Sequence, residues 1–216
     1  MQVSSRIRTH SHRLARVLWL VLLGFVIGGM QTAGAAPMVG RPAPDFKALD
    51  SNGKSHTLAQ YRGSVVVLEW TNHDCPFVRK HYGTDNMQTL QREATAKGVV
   101  WLSVISSAPG MQGYVSGDEA NSLTKQRKAA PSAVLLDPKG EVGHVYGAKT
   151  TPHMYIIDRE GMLVYVGGID DTPSTDWDDV KTAKNYVRVA LNEIMAGQPV
   201  SNALTRPYGC SVKYGS

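Results

Sequence analysis

The chain has 216 residues, of which 42% are hydrophobic, and its 23 lysines and arginines against 18 acidic residues give a formal net charge of +5. Four arginines, and no acidic residue, lie within residues 1–16, so the rest of the chain has a net charge of only +1. This balance gives no support for a nucleic-acid partner, and the length fits one domain with a normal hydrophobic core.

Residues 1–35 have the pattern of a secretory signal peptide. The four arginines precede an apolar run at 17–29, which is too short to span a bilayer. Ala33, Gly34 and Ala35 then supply the small residues of a cleavage site, which predicts a cut after Ala35. We therefore expect a periplasmic or secreted protein with no membrane attachment after cleavage. An uncleaved membrane anchor is the alternative.

The mature chain, residues 36–216, is predicted to form a single domain. A proline-stiffened segment at 40–46 is followed by a turn at 50–54 in which Gly53 supplies positive φ, and short strands are predicted to flank that turn. Four consecutive aliphatic residues at 65–68 then predict a strand that is buried on both faces of a sheet.

The chemistry is expected at Cys75, which follows a polar loop at 71–74. Proline is tolerated at the first helical position, so Pro76 places Cys75 at the mouth of a helix, where we expect it to be open to solvent and ionised. A helix N-terminus contributes roughly 0.3–1 kcal/mol, which is less than the about 1.4 kcal/mol that corresponds to one pKa unit. A strong lowering of the pKa therefore needs the nearby cationic residues as well: His73, Arg79, Lys80 and His81. The alternative is an inert, buried cysteine.

Downstream of this site, predicted helices and strands alternate. After a break at Gly83, a new helix is predicted as far as residue 96. Strands are predicted at 99–105 and 133–136, with a short helix at 120–128 between them. Elements of these types and lengths predict an α/β sheet.

The segment after residue 150 predicts an antiparallel end to that sheet. Pro152 opens a strand-like run, and a turn at 158–161 leads into a second run at 163–168, so the two form a β-hairpin. Apolar residues recur every three or four positions over 180–194, which predicts an amphipathic final helix. Residues 198–216 follow as a tail.

The two cysteines of the chain are Cys75 and Cys210. In the tail, Gly209 precedes Cys210, which predicts a mobile and accessible thiol. An even number of cysteines in an exported protein permits a disulfide. Because the loop that it would close is long, a merely structural disulfide would contribute roughly 5 kcal/mol in the chain-entropy model, and this role competes with a redox role.

Several segments together resemble the thioredoxin-like superfamily in its peroxiredoxin branch, of the alkyl hydroperoxide reductase and thiol-specific antioxidant type. The resemblance lies in the segment 40–46, the turn, the first buried strand, Cys75-Pro76, Thr151-Pro152 and the closing hairpin. More narrowly, the segments 72–78, 168–171 and 209–214 are similar to bacterial redoxin-domain proteins. The resemblance implies a thioredoxin-like α/β fold, with a central mixed β-sheet flanked by helices and a C-terminal tail, and an oxidoreductase that needs no cofactor or metal.

The resemblance also implies roles for particular residues. Pro152 is expected to be cis and to lie against Cys75, and the backbone of Thr151 to be available to an extended thiol substrate. Asn72 stands where peroxiredoxins usually carry Thr or Ser, and its amide can donate a hydrogen bond to a peroxide oxygen. Position 78 is valine, so the local pair of cysteines found in thioredoxins is absent from the sequence.

Two related mechanisms follow from these assignments. The Cys75 thiolate attacks either a peroxide, which gives a sulfenic acid, or a disulfide, which gives a mixed disulfide. In both cases Cys210 is the resolving thiol, which requires the tail to fold back onto the helix mouth. The expected partners are a peroxide or oxidised thiol substrate and a reducing thiol protein.

Three alternatives stay open at this point. The chain could act only in thiol-disulfide exchange, without peroxidase activity. It could be a copper-binding thioredoxin-fold module, with Cys75 and His153 as the ligands. It could also be a structural or partner-binding domain without catalysis.

Overall fold

A computed structural model of the protein describes residues 1–2 and 37–215. Apart from its first two residues, the predicted signal peptide lies outside the described residues, as does its cleavage site after Ala35. Within the described part of the chain, no helix is long and apolar enough to cross a membrane.

A mixed β-sheet forms the centre of the fold. The described residues form the strands β1 (Lys47–Asp50), β2 (Ser55–Thr57), β3 (Val66–Trp70), β4 (Val100–Ile105), β5 (Ala133–Leu136), β6 (Thr150–Thr151), β7 (His153–Ile157), β8 (Leu163–Gly167) and β9 (Cys210–Ser211). Seven of them make one sheet in the order β2-β1-β5-β4-β3-β7-β8. The middle strands β5, β4 and β3 are parallel, and the strands on either side are antiparallel to their neighbours. The predicted α/β sheet with an antiparallel end is therefore present.

Helices cover both faces of this sheet. They are α1 (Pro76–Gly83), α2 (Asn86–Ala96), α3 (Gly117–Gln126), α4 (Glu141–Tyr146) and α5 (Tyr186–Met195). Side chains alternate along β3, so Val67 packs with α1, α2 and α5, whereas Leu68 and Trp70 pack with α4 on the opposite face. The two apolar layers hold the sheet between them.

The final helix begins later than its apolar pattern predicted. The pattern runs over 180–194, but α5 starts at Tyr186 because the side chain of Asn185 caps it by accepting a hydrogen bond from the N–H of Arg188 at 2.9 Å. Residues Asp178–Lys181 form a separate 3-10 helix. Periodicity alone does not show where a cap interrupts an apolar stripe.

Glu69 is a carboxylate that is buried in the sheet, with 0% of its surface exposed. Four side chains donate hydrogen bonds to it: Tyr82 from α1 (2.8 Å), Gln91 from α2 (3.1 Å), and Trp101 (2.8 Å) and Ser103 (2.9 Å) from β4. Burial raises the pKa of Glu69, although these donors oppose the shift. The carboxylate joins two strands and two helices into one network beneath the segment that carries Cys75.

We predict that Glu69→Gln lowers the free energy of unfolding by about 1–3 kcal/mol. The glutamine amide carries N–H groups where the carboxylate accepts hydrogen bonds, so some of the four donors would lose their acceptor. Urea denaturation at pH 7, followed by circular dichroism, measures the change. Glu93→Gln is the matched control, since Glu93 pairs with Arg188 at the surface and its loss should change stability by less than about 1 kcal/mol. Equal effects of the two substitutions would contradict a structural role for the buried network.

Candidate active site

Cys75 is the N-cap residue of α1, with φ −72° and ψ 124°. Its N–H donates to the carbonyl of Asn72 at 3.1 Å, and its own carbonyl accepts from the N–H of Arg79 at 2.9 Å. Pro76 occupies the first turn, where its missing N–H is not needed. The predicted helix mouth is therefore present around Cys75.

Cys75 is not open to solvent, contrary to the sequence-based expectation. Its exposed fraction is 0%, and it packs in the apolar core together with Val78 and Tyr82. Its Sγ lies 3.1 Å from the carbonyl oxygen of Thr151, to which a protonated thiol donates. The remaining cover comes from the C-terminal tail, which places Cys210 within hydrogen-bonding reach of Cys75.

The tail, predicted at 198–216 to be mobile, docks by strand pairing. Its strand β9 runs antiparallel to β6, with Cys210 directly opposite Thr151. Two residues after Cys210, the N–H of Val212 donates to the carbonyl of Lys149 at 3.0 Å. Cys210 is consequently half-buried and held beside Cys75, so the expectation of a freely mobile thiol is wrong.

Two residues fix the tail just before Cys210. Gly209 has φ +133°, and a Cβ atom there would lie only 2.0 Å from the carbonyl oxygen of Thr151, so only glycine fits. The hydroxyl of Tyr208 donates to the carboxylate of Asp170, and its ring meets Phe77 edge-on at 5.8 Å between centroids. These contacts fix the position of the tail immediately before Cys210.

Tyr214 fixes the tail on the other side of Cys210. Its ring stacks on His144 of α4, with 4.1 Å between centroids, and its hydroxyl donates to the carbonyl of Ala148 at 2.8 Å. The sequence segment 209–214, which carried the resemblance to redoxin-domain proteins, is therefore the segment that brings the second sulfur to the first.

The hydrogen bonds around Cys75 favour its thiolate. Burial acts to raise the pKa of Cys75, but hydrogen bonds from the Cys210 thiol, from the N–H groups of Val78 and Cys210, and from the Thr151 hydroxyl outweigh it and lower the pKa below the ordinary value. Burial, together with the hydrogen bond to Cys75 and the charge on it, raises the pKa of Cys210 to about 11. The contact between the two sulfurs therefore lowers the pKa of Cys75 and raises that of Cys210.

Two of the four cationic residues predicted to assist the thiolate, Lys80 and His81, are engaged elsewhere. Lys80 is fully buried and donates to the carbonyl of Thr172 at 3.0 Å, with the Asp170 carboxylate 4.0 Å away. His81 lies 3.2 Å from the Tyr208 hydroxyl, and burial and the Lys80 charge lower the pKa of this histidine to about 3, so it is neutral. These residues support the tail through Tyr208. The sequence offered no local signal for this role, because His81 and Tyr208 are 127 positions apart.

Asn72 is buried at the start of the loop before Cys75. Its side-chain oxygen accepts from the N–H of Asp74 at 2.9 Å, and its amide donates to the carbonyl of Gln112 at 3.3 Å. These bonds shape the loop that leads into α1. An amide has two N–H donors, and the bond to Gln112 accounts for one of them.

The peptide bond between Thr151 and Pro152 is cis, as the resemblance implied, and Thr151 lies against Cys75. However, the backbone of Thr151 is not free for an extended substrate, because Cys210 of the chain's own tail already pairs with it. An extended substrate would have to replace the tail at this position.

His153, the proposed partner of Cys75 in a copper site, lies buried in β7. Its Nδ1 accepts from the N–H of Lys149 at 3.3 Å and lies 3.2 Å from the Tyr155 hydroxyl. Burial and the nearby Lys149 lower the pKa of His153 to about 4. Over residues 1–2 and 37–215, no group of three or more metal-binding side chains is placed to hold an ion.

Known proteins are similar to this chain in sequence and in fold. Residues 39–166 match the model of a family described as the AhpC/TSA family. The thiol-disulfide oxidoreductase ResA of Geobacillus thermodenitrificans is 26% identical over 155 residues, which cover 68% of this chain and 79% of the relative.

Two solved structures are similar as well. A hypothetical protein from Sinorhizobium meliloti superposes with a TM-score of 0.71 at 22% identity, covering 84% of this chain and 97% of that one. A putative thiol:disulfide interchange protein DsbE from Chlorobium tepidum has a TM-score of 0.50 at 28% identity, covering 61% of this chain and 85% of that one. The thioredoxin-like fold expected from the sequence is confirmed.

We predict that the pKa of Cys75 rises when the thiol of Cys210 is removed, because that thiol donates to the Cys75 sulfur. A hydrogen bond to a charged group contributes roughly 1.5–3 kcal/mol, so Cys210→Ala should move the thiolate absorbance midpoint upward by about one pH unit or more. Cys210→Ser keeps a hydrogen-bond donor, so its thiolate absorbance midpoint should lie between those of wild type and the alanine variant. A midpoint in Cys210→Ala at or below that of wild type would show that the hydrogen bond is not the cause.

We predict that Gly209→Ala opens the site, because its Cβ would meet the Thr151 carbonyl at 2.0 Å. Strain of about 1–3 kcal/mol should increase the alkylation rate of Cys75, corrected for its thiolate fraction, by about tenfold or more. Gly197→Ala is the control, since Gly197 also has positive φ (+70°) but open space around it. If the two variants leave Cys75 equally protected, the tail is not held as described.

Proposed function

The chain belongs to the AhpC/TSA family and is an oxidoreductase, and on that premise we propose that its redox centre is the pair formed by Cys75 and Cys210. The observation that supports this most is the pairing of β9 with β6, which sets Cys210 opposite Thr151. The sulfur of Cys75 lies 3.1 Å from the carbonyl oxygen of this same Thr151, and the neighbouring Cys210 side chain lowers the pKa of Cys75. Two thiols that are far apart in sequence are thus held ready to close a disulfide.

The preferred reaction is thiol-disulfide exchange. Oxidation of the pair to a disulfide releases two protons and two electrons, which reduce a substrate disulfide to two thiols. Cys75 supplies the thiolate within the pair, and Cys210 supplies the thiol with which it closes. Two similar proteins, the thiol-disulfide oxidoreductase ResA and the putative thiol:disulfide interchange protein DsbE, favour this reaction class. A reducing thiol protein would then return the pair to its dithiol form.

Peroxide reduction is a second candidate, and the match to the AhpC/TSA family favours it. Cys75 has 0% of its surface exposed while the tail is docked, so a peroxide would reach its sulfur only when the tail moves aside. The thiolate would attack one peroxide oxygen, the other oxygen would leave as water or an alcohol, and the sulfenic acid would condense with Cys210 to release water. The free N–H of Asn72 would orient the peroxide in this reaction.

Thr151 and Pro152 are proposed contacts for a longer thiol substrate. Such a substrate would take the strand position beside Thr151 that the tail occupies, so its binding requires the tail to leave. Either reaction fits a periplasmic or secreted protein, and we propose that residues 1–35 direct export.

A purely structural disulfide is the less favoured role. In the structure both cysteines are free thiols while the tail is docked. Strand pairing and the contacts of Tyr208 and Tyr214 already hold the tail. A disulfide is therefore not needed to keep the tail in place. A reversible disulfide would instead form or break with the redox state of the surroundings.

We predict that the reduced protein loses the mass of two hydrogen atoms when it is incubated with oxidised dithiothreitol, and that a reducing dithiol reverses this loss. Cys75→Ser and Cys210→Ser should each abolish the change, which intact-mass spectrometry detects. A disulfide that forms but resists reduction would favour the structural role, and no disulfide at all would refute the proposed redox pair.

Stoichiometric hydrogen peroxide separates the two candidate reactions. Rapid disulfide formation in wild type, with a trapped sulfenic acid on Cys75 in Cys210→Ser, would assign peroxidase chemistry. Slow reaction with peroxide, together with fast reaction with a disulfide-containing peptide, would assign thiol-disulfide exchange.

A further inference from the structure

A cavity lies on the side of α1 that faces away from the tail. In this helix, Phe77 and His81 contact Tyr208 of the tail. Arg79 and Gly83, by contrast, line the cavity. Because a helix has 3.6 residues per turn, positions 77 and 81 lie on one side of α1, and positions 79 and 83 lie on the other. The cavity is therefore separate from the cysteine pair.

The cavity has an outer part of about 400 Å³ and an inner part of about 30 Å³. His73, Tyr82 and Arg127 line both parts, so the two adjoin. The inner part is lined largely by apolar side chains, among them Leu123 and Val134. A space of this size admits one water-sized group.

Arg127 is half-buried where the two parts meet, and its guanidinium lies over the ring of Tyr82, 4.8 Å from the centroid. Within the part of the chain that the structure describes, this guanidinium has no carboxylate or carbonyl partner, whereas the exposed Arg92 pairs with Asp85 at 2.7 Å. Arginine keeps its charge and carries five N–H donors in one plane. With one face on an aromatic ring, the edge of the guanidinium is suited to an anion.

The surroundings of the cavity carry an excess of positive charge. Among the described residues, Arg79 and His73 line it together with Arg127, and no acidic side chain does. Asp74, which lies outside the lining, pairs with both Arg79 (3.1 Å) and His73 (3.4 Å). Burial, and then the charges of Arg127 and Arg79, lower the pKa of His73 against the opposite effect of Asp74. The two arginines are thus close enough for His73 to respond to both.

Thr71 supplies an unpartnered hydroxyl in the inner part. Its exposed fraction is 7%, and its Oγ1 atom has no hydrogen-bond partner among residues 1–2 and 37–215. A buried hydroxyl without a partner costs free energy. An oxygen atom of a ligand in the inner part would accept a hydrogen bond from it.

The groups that would meet a ligand are held in place from the protein side. Gln88 donates to the carbonyls of Arg127 (2.8 Å) and Tyr82 (2.7 Å). The half-exposed ring of Trp177 forms a wall of the outer part and lies directly against Gly83, where a Cβ atom would be 2.3 Å from the ring. Groups that are already fixed lose little conformational entropy when a ligand binds.

We propose that this cavity binds a small organic carboxylate that carries a flat apolar group. The edge of the Arg127 guanidinium binds the carboxylate, the Thr71 hydroxyl donates to the oxygen that enters the inner part, and the apolar group packs on Trp177. A phosphate fits less well, because the largely apolar inner lining offers few partners for its further oxygens. This site is independent of the proposed redox function.

The test is a titration of the reduced protein with benzoate, followed by nuclear magnetic resonance of the Trp177 indole N–H and the His73 ring. We expect saturable shifts of both signals and a rise in the pKa of His73, because the anion offsets the charges of Arg127 and Arg79. Benzamide, which has the same shape without the charge, should bind about tenfold more weakly or less, and inorganic phosphate should also bind more weakly. No saturable shift with benzoate, equal binding of benzamide, or tighter binding of phosphate would overturn the proposal.

Two variants test the individual contacts. Arg127→Gln should weaken benzoate binding by about tenfold or more, whereas Arg92→Gln, the matched control, should leave it unchanged. Thr71→Val keeps the shape of the side chain, so it should weaken binding without lowering the melting temperature, because the lost hydroxyl has no partner in the described chain. Binding by both Arg127→Gln and Thr71→Val as tight as that of wild type would overturn the proposal.

A third variant shows whether the site is separate from the cysteine pair. Cys210→Ser should bind benzoate as tightly as wild type does, because the cavity and the tail lie on different sides of α1. Loss of binding in this variant would place benzoate at the tail and overturn the proposal. Failure of the wild type to form a disulfide would refute the proposed function and would leave this test unaffected.

Discussion

The site depends on one short strand pair, in which the C-terminal tail lies antiparallel to Thr151 and carries Cys210 onto Cys75. This pairing closes the helix mouth, excludes solvent from Cys75, and supplies the thiol that donates to it. Without the tail, Cys75 would be an ordinary helix N-cap residue at the end of a buried strand. With it, two thiols that are far apart in sequence lie side by side.

Hydrogen bonds, rather than nearby cations, stabilise the thiolate of Cys75. Burial alone would raise its pKa, and the donors around it reverse that effect. Lys80 and His81, the charged candidates in the sequence, are themselves buried and form a cluster with Asp170 instead. The Asp170 carboxylate of that cluster accepts a hydrogen bond from the Tyr208 hydroxyl. The cluster therefore acts on the Cys75 sulfur only indirectly, by fixing the tail.

The closed arrangement separates two properties that are usually combined in one cysteine. The sulfur with the lowered pKa is the inaccessible one, and the accessible sulfur has the raised pKa. While the tail is docked, this arrangement shields Cys75 from solvent.

The sequence alone determined the elements whose signals are local. Aliphatic runs located the buried strands, and Pro76 after Cys75 located a helix start, because both depend on a few adjacent residues. The sequence did not predict the start of α5 at Tyr186 or the burial of Cys75, because a side-chain cap and a covering segment are not part of any periodic pattern. Only the tertiary structure decided that Cys210 meets Cys75, because strand pairing between segments more than fifty positions apart depends on how the whole chain packs.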